Sequence, residues 1–148
     1  MADEDDSWRG VEAALHRFGL PASIADRPTI GAALDEQIRL EVNEIGDQFL
    51  MRLLCAQLFS LGIVEDVLLI WRAKQCNFDT HCGIDVALLC GAGLEVTKQF
   101  LEAVKTDEAS EALEYIRHCE SCGNFAEFTV AGELAELRRF YRSRPPTE

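Results

Sequence analysis

The sequence predicts an all-α protein: a single compact domain of about six or seven helices, arranged as antiparallel helix hairpins. Apolar residues recur at spacings of three and four along most of the chain, and no stretch alternates with period two. Glycines, prolines and capping residues separate these runs, and 148 residues suit one domain. We expect an acidic flexible N-terminus at 1–6, the helical domain at 7–143 and a flexible tail at 144–148.

The first half of the chain begins with a predicted helix that starts at Ser7, a candidate N-cap. Its apolar face is formed by Trp8, Val11, Leu15 and Phe18. The two prolines of "LPASIADRPT" then predict a loop. From Leu34 onward, apolar residues at 34, 38, 42, 45 and 49 keep a helical phase. The pattern leaves open whether helices 33–45 and 47–61 are continuous or separate, with Asp47 capping the second.

The segment "DQFLMRLLCAQLFSLG" is apolar on nearly every side, which predicts a helix surrounded by other elements and ended by Gly62. "IVEDVLLIWRAKQC" follows almost without a loop, so we expect it to fold back as an antiparallel hairpin. The pair 47–61 and 64–75 is therefore the predicted centre of the domain.

The second half begins with a short predicted helix, "IDVALLC", and a "GAG" turn that lets two helices approach each other. The next helix, "LEVTKQFLEAVK", carries a predicted apolar face. This face consists of Val96, Phe100, Leu101 and Val104. Thr106 and Asp107 are candidate caps for "DEASEALEYIRHCES", and Thr129 is one for "VAGELAELRRFYRS".

A faint internal similarity suggests an alternative organisation. Leu-Leu-Cys occurs at 53–55 and again at 88–90, each time followed by a glycine turn and an apolar helix. The offset is typical of two-helix repeats and resembles the helix pairs of ankyrin or tetratricopeptide arrays. The signature residues of both families are absent, so the alternatives are a short two-helix-repeat-like stack and chance similarity.

Charge gives the main indication of function. The formal net charge is −12, and residues 76–137 contain 12 acidic side chains against three basic ones. Such a surface repels nucleic acid and anionic membranes and speeds encounter with a basic protein, although surplus carboxylates can also serve solubility alone. The longest apolar run is interrupted by Arg52, and the acidic N-terminus lacks the pattern of an export signal. We therefore expect a cytoplasmic protein.

The predicted docking surface is a group of carboxylates on two consecutive helices. They are Glu95, Glu102, Asp107, Glu108, Glu111 and Glu114. In charge and size, though in no motif, the chain resembles small acidic proteins that neutralise cationic toxins. The leading hypothesis is a non-enzymatic, immunity-like interaction module for a basic protein partner, with no required cofactor and an oligomeric state left open.

The six cysteines allow two further hypotheses. Cys55 and Cys90 lie inside apolar runs, and Cys119 continues the apolar stripe of its helix, so most thiols are predicted in the core. Gly123 suits the end of that helix, and Phe125 can pack back on it. A zinc-stabilised adaptor would instead join two groups of ligands. These groups are Cys76, His81 and Cys82, and Cys119 with Cys122.

The third hypothesis is a cysteine/histidine-dependent enzyme that uses Cys82 with His81 or His118. No neighbouring residue in the sequence positions such a pair. A redox Cys-x-x-Cys lies at a helix N-terminus, where the helix dipole stabilises a thiolate, whereas this one is predicted at a C-terminus. The interaction module therefore remains the leading interpretation.

Overall fold

Every regular element in the computed structural model is a helix, which confirms the predicted all-α class. The structure describes residues 2–143, with side chains for residues 8–142, and the predicted tail at 144–148 lies outside this range. Three 3₁₀ helices cover Ile24–Asp26, Val64–Asp66 and Val86–Cys90. The eight α-helices of residues 2–143 are α1 (Ala2–Phe18), α2 (Arg27–Glu41), α3 (Gln48–Leu61), α4 (Val67–Lys74), α5 (Phe78–Gly83), α6 (Leu94–Val104), α7 (Asp107–Ser121) and α8 (Val130–Ser143).

Two helix starts differ from the prediction. Helix α1 begins at Ala2, so Ser7 lies inside the helix and is not its N-cap. Helix α2 begins at Arg27 with Pro28 in its first turn, well before the predicted start near residue 33. Proline is tolerated there because the first backbone N–H groups of a helix have no partner within it. The proline that was expected to extend the loop therefore opens the helix.

The open question about helices 33–45 and 47–61 is settled in favour of two separate helices. Helix α2 ends at Glu41, and the turn that follows contains Glu44 with a φ of 62°. The Asp47 carboxylate then accepts a 3.0 Å hydrogen bond from the Leu50 N–H and caps α3. Val42 and Ile45, predicted on the buried stripe, are 79% and 66% exposed because they lie in this turn.

Helix α3 forms the centre of the core, as its all-round apolar surface predicted. Its side chains from Met51 to Phe59 are buried, with Arg52 as the exception, and Gly62 ends it in the left-handed conformation. The closest neighbours of α3 are α1 and α2, and α2 also packs against α4. Helices α3 and α4 are not a closely packed pair, so the prediction that they form an antiparallel hairpin is wrong. Within residues 2–143, no helix combines the length and apolar character that a membrane crossing requires.

One buried polar residue joins α3 to the end of α1. The Gln57 side chain is fully buried, and its Nε2 donates to the backbone oxygens of Ala14 at 3.1 Å and Gly19 at 3.0 Å. Ala14 lies in the last turns of α1 and Gly19 directly follows the helix, so the two bonds tie this amide to both sides of the helix end. The α1–α3 contact is thus specific as well as apolar.

The two Leu-Leu-Cys segments do not form equivalent helix pairs. Residues 53–55 lie in the middle of α3, whereas 88–90 lie in the five-residue 3₁₀ helix Val86–Cys90. This short segment is fully buried and contacts both α3 and α4. The repeat-like stack is therefore absent from residues 2–143, and α6–α7 is a hairpin of its own, closely packed along its length.

The "GAG" turn makes a close approach to α3, a helix that the prediction for this turn did not name. A Cβ added to Gly91 would lie 2.6 Å from the Phe59 carbonyl oxygen and 3.0 Å from its Cα, both backbone atoms of α3. Gly91 itself has an ordinary helical φ of −63°, so the close contact alone demands glycine there. The turn before α6 is thereby held directly against α3.

We expect Gly91→Ala to lower the free energy of unfolding by about 1–3 kcal/mol, because neither backbone segment can yield without strain. The matched control is Gly31→Ala in α2, where the nearest atom to an added Cβ lies at 3.8 Å. This control should raise stability by up to about 1 kcal/mol through helix propensity. Urea denaturation of both variants gives the comparison, and equal effects would contradict the close-contact argument.

All six cysteines are free thiols. Cys55, Cys90 and Cys119 are buried as predicted, Cys76 is partly buried, and Cys82 and Cys122 are exposed, so only half of the thiols are core residues. Burial raises the pKa of Cys90 to about 12 and that of Cys55 still further, because a thiolate is poorly solvated in the core. Folding therefore requires both of these thiols to stay protonated.

A thiol whose pKa is raised in the folded state contributes stability that is fully present below the pKa of the unfolded thiol. This contribution is lost as the pH rises towards the pKa of the folded state. We therefore expect stability to fall above about pH 9, with each buried thiol contributing about 1.4 kcal/mol per pH unit. Cys90→Ala should make this decline shallower. Leu89→Ala, a buried non-ionisable control in the same segment, should lower stability without changing the slope. Urea denaturation between pH 7 and about pH 10 measures both slopes.

Candidate functional site

The α6–α7 hairpin presents the predicted acidic face because its helices bury their opposite sides. On α6 the buried residues are Thr97 and Leu101, whereas Val96, predicted as apolar core, is 49% exposed. The Thr106 hydroxyl caps α7 by accepting from the Ala109 N–H at 3.1 Å, as predicted. The buried stripe of α7 then consists of Ala109, Ala112, Leu113, Ile116 and Cys119. Since these residues face inward, the acidic residues between them lie at the surface.

The end of α7 confirms the structural interpretation of the Cys-x-x-Cys-Gly segment. Cys119 is buried, Gly123 has a φ of 91°, and the Asn124 N–H donates to the Cys119 carbonyl at 3.0 Å. Phe125 is buried and packs edge to face on Phe128, with ring centroids 5.3 Å apart. The segment therefore ends a helix and anchors the following loop.

Two of the six predicted carboxylates are used in ion pairs within the protein. Arg72 on α4 binds Glu108 through two hydrogen bonds, Nε–Oε2 at 2.8 Å and Nη2–Oε1 at 2.9 Å. Lys98 bridges Glu95 at 3.2 Å and Glu120 at 2.8 Å, which ties α6 to the end of α7. These contacts fix the hairpin on α4 and leave Glu95 and Glu108 less available to a partner.

The other four predicted carboxylates remain available. They are Glu102, Asp107, Glu111 and Glu114. All four are exposed, and none has an ion-pair or hydrogen-bond partner among residues 8–142. Asp107, Glu111 and Glu114 follow each other at spacings of four and three, so they form one stripe along α7.

This stripe borders a groove between α4 and α7, which we call the α4–α7 groove. Its volume is about 490 Å³. It is lined by Trp71, Gln75, Glu111, Glu114, Tyr115 and His118. The Trp71 and Tyr115 rings lie 5.6 Å apart, tilted by 45°, and the lining contains no lysine or arginine. Trp71 is only 4% exposed, so Tyr115, which is partly exposed and packs on Trp71, is the ring that the groove presents beside two unpaired carboxylates.

Tyr115 is held in place by groups behind it. The Lys74 ammonium lies 5.4 Å from the ring centroid, and the His81 ring packs edge to face at 5.2 Å. The Lys74 Nζ is buried and donates to the carbonyls of His81 and Ile84, both at 2.5 Å. Burial raises the pKa of Tyr115 to about 12 and lowers that of Lys74, since each charged form is poorly solvated there.

The five predicted zinc ligands are not brought together. His81 lies against Tyr115 and its Nδ1 is 3.1 Å from the Gln75 Oε1, while Cys82 is exposed and Cys119 is buried. Cys76 contributes instead to a different groove beside α5. Within the described residues, no three side chains of the cysteine, histidine or acidic type converge on a point where a metal ion could sit. The geometry therefore does not support the adaptor hypothesis.

The cysteine/histidine pair in the structure differs from the predicted one. The exposed Cys122 Sγ, directly after the end of α7, lies 3.7 Å from the Nε2 of His118 in the last turn of that helix. Among residues 8–142 no carboxylate hydrogen-bonds to this imidazole, so the third group that orients a catalytic base is not supplied. The arrangement gives no specific support to nucleophilic catalysis.

The chain matches no protein-family model, no curated protein and no solved structure. Its functional interpretation therefore depends on its own residues. Sequence reasoning found Glu111 and Glu114 through the charge pattern but missed Trp71, Gln75 and Tyr115. The one available signal was the position of Tyr115 directly after Glu114, within an otherwise acidic helix face.

We expect substitution of a carboxylate on this face to lower stability only where the carboxylate forms an ion pair within the protein. Glu108→Gln should lower the free energy of unfolding by about 0.2–1 kcal/mol, because it removes an exposed bidentate pair with Arg72. A double-mutant cycle with Arg72→Gln, followed by urea denaturation, should recover a coupling of the same size. Glu111→Gln is the control and should change stability by less than about 0.5 kcal/mol. A cost at Glu111 equal to that at Glu108 would disprove this expectation.

Proposed function

We propose that this protein is a non-enzymatic interaction module that binds a basic segment of a partner protein in the α4–α7 groove. The observation that carries the proposal is the combination of the partly exposed Tyr115 ring, supported from below by the buried Trp71, with the unpaired carboxylates of Glu111 and Glu114. A lysine or arginine side chain matches both features. Its charge pairs with the carboxylates, and its stem or guanidinium plane packs on the Tyr115 ring.

The charge around the groove supports the same partner. Residues 94–121 contain seven acidic side chains and three basic ones, Lys98, Lys105 and Arg117. An acidic field of this kind raises the rate of encounter with a basic protein and disfavours nucleic acid and anionic membranes. The aromatic residues of the groove would then supply the lifetime of the complex, because buried aromatic contacts dominate binding energy.

The biological role that fits this proposal is neutralisation or docking of a cationic protein in the cytoplasm. The six free thiols agree with a reducing compartment. The partner is defined here by its chemistry: an exposed segment rich in lysine or arginine. Binding at the groove would cover that segment and its charge.

The proposal is tested with a labelled peptide of alternating arginine and alanine, whose binding is followed by fluorescence anisotropy. Glu111→Gln/Glu114→Gln should weaken binding about threefold to thirtyfold, since each exposed charge pair contributes about 0.3–1 kcal/mol. Raising the salt to about 0.5 M should weaken binding by the wild-type protein, because exposed charges are strongly screened there.

Two controls separate the groove from net charge. Glu65→Gln/Glu127→Gln removes two exposed carboxylates from other elements and should leave the affinity nearly unchanged. A peptide with citrulline in place of arginine keeps the shape without the charge and should bind poorly. If both double variants weaken binding equally, the interaction is a response to overall charge and the groove has no special role.

A further inference from the structure

A second groove lies at the junction of α2, α3 and α5, on the turn that contains Glu44. Its volume is about 700 Å³. Its lining consists of Glu41, Val42, Glu44, Gln48, Cys76, Asn77, Phe78 and Asp79. Three of these residues are acidic and none is lysine or arginine. We call it the Glu41 groove.

Glu41 is the unusual residue of this groove, because its side chain is only 7% exposed. Its Oε2 accepts from the Gln48 Nε2 at 2.8 Å and from the Asn77 Nδ2 at 2.6 Å. Both donors line the groove themselves, so the carboxylate lies in the groove wall between them. Its Oε1 has no hydrogen-bond partner among the described residues. Two neutral amides thus hold a buried acid that has no basic partner within residues 8–142.

The backbone leaves room for this carboxylate. A Cβ added to Gly46 would lie 2.7 Å from the Glu41 Oε1 and 2.9 Å from the Gln37 carbonyl oxygen. Glycine at this position therefore lets the turn pack against Oε1, while Oε2 is held by two side chains that line the groove. A buried carboxylate without a counter-charge is costly, and proteins normally pair such groups or let a ligand pair them.

The lining of the groove also contains two exposed apolar side chains, Val42 and Phe78. Val42 and Phe78 are 79% and 78% exposed, and Ile45 on the same turn is 66% exposed. These are three of the most exposed large apolar side chains among the described residues. An acid between exposed apolar walls matches a cation on an apolar stem better than it matches a metal ion, and no group of metal-binding side chains is found in the described part of the chain.

We infer that the Glu41 groove binds an alkyl-guanidinium or alkyl-ammonium group, with its charge beside Glu41 and its apolar stem between Val42 and Phe78. Glu44 and Asp79, which also line the groove, add negative potential at its mouth. The ligand is an arginine or lysine side chain of a protein, or a free amine of the same chemistry. The inference does not depend on the proposed function, because it concerns a different groove and different residues.

The test uses two-dimensional NMR of the full chain titrated with three probes. A blocked Ala-Arg-Ala peptide and agmatine both carry the alkyl-guanidinium group, and a blocked Ala-citrulline-Ala peptide is the neutral control. The two cationic probes should shift the backbone amide signals of Val42, Asn77 and Phe78, and the neutral one should not. Tighter binding of the peptide indicates a protein side chain as the natural ligand, and tighter binding of agmatine indicates a small amine.

Two variants locate the site. Glu41→Gln keeps an oxygen that can accept from Gln48 and Asn77 while removing the charge, and we expect about tenfold weaker binding. Glu44→Gln/Asp79→Asn changes only surface carboxylates, so it should fold normally and weaken binding by a smaller factor. Circular dichroism and urea denaturation check that both variants are folded.

The inference is overturned if the citrulline peptide shifts the same signals as strongly, or if both variants bind the cationic probes like the wild-type protein. Glu111→Gln/Glu114→Gln serves as the cross-control. If this variant alone removes binding at the Val42, Asn77 and Phe78 signals, the Glu41 groove is not the site and the α4–α7 groove remains. If Glu41→Gln alone removes it, the Glu41 groove is a site whatever the outcome at α4–α7.

Discussion

The burial of α3 from Met51 to Phe59, with Arg52 as the exception, is the constraint on which the rest of the structure depends. A helix buried to this extent requires apolar neighbours around it, and here α1, α2 and the 3₁₀ helix at Val86–Cys90 supply them. Gly91 lets the last of these approach the α3 backbone directly. The α6–α7 hairpin forms an outer layer that contacts α4 and the 3₁₀ segments. Because this hairpin buries only one side, its other side is free to carry carboxylates, and its junction with α4 leaves the groove.

The features of the fold that the sequence predicted are those decided by local interactions. The cap at Thr106, the cap at Asp47 and the left-handed glycines at the ends of α3 and α7 all depend on residues within a few positions of each other. The errors arose where periodicity alone was followed across a boundary. Val42 and Ile45 keep the helical phase of α2, but the helix has already ended at Glu41, so they lie in an exposed turn. The prediction of an α3–α4 hairpin was wrong for a related reason. It followed from the short connection alone, whereas α2 packs against both helices.

The candidate sites could be predicted only in part, for the same reason. Charge composition located Glu111 and Glu114, since exposed carboxylates on an amphipathic helix are visible in the sequence. Trp71 packs against Tyr115 from another helix, and nothing local to α7 indicates that contact. The case of Glu41 is more extreme, because an acidic residue near a helix end ordinarily lies in solvent. Its burial follows from Asn77, which is 36 residues away and also caps α5. Long-range pairing of this kind leaves no periodic signal.

The distribution of cations explains why both grooves remain acidic in the folded protein. Arg72 is committed to Glu108, Lys98 to Glu95 and Glu120, and the buried Lys74 to two backbone carbonyls. Each of these cations stabilises a junction between elements, so none can turn towards a groove without releasing a contact of the fold. Neither groove lining therefore contains a lysine or arginine beside its carboxylates, which is the basis of both proposals. A binding site of the proposed type would be selective, because the cation would have to bring both charge and an apolar surface: a hydrated metal ion satisfies the first requirement and lacks the second.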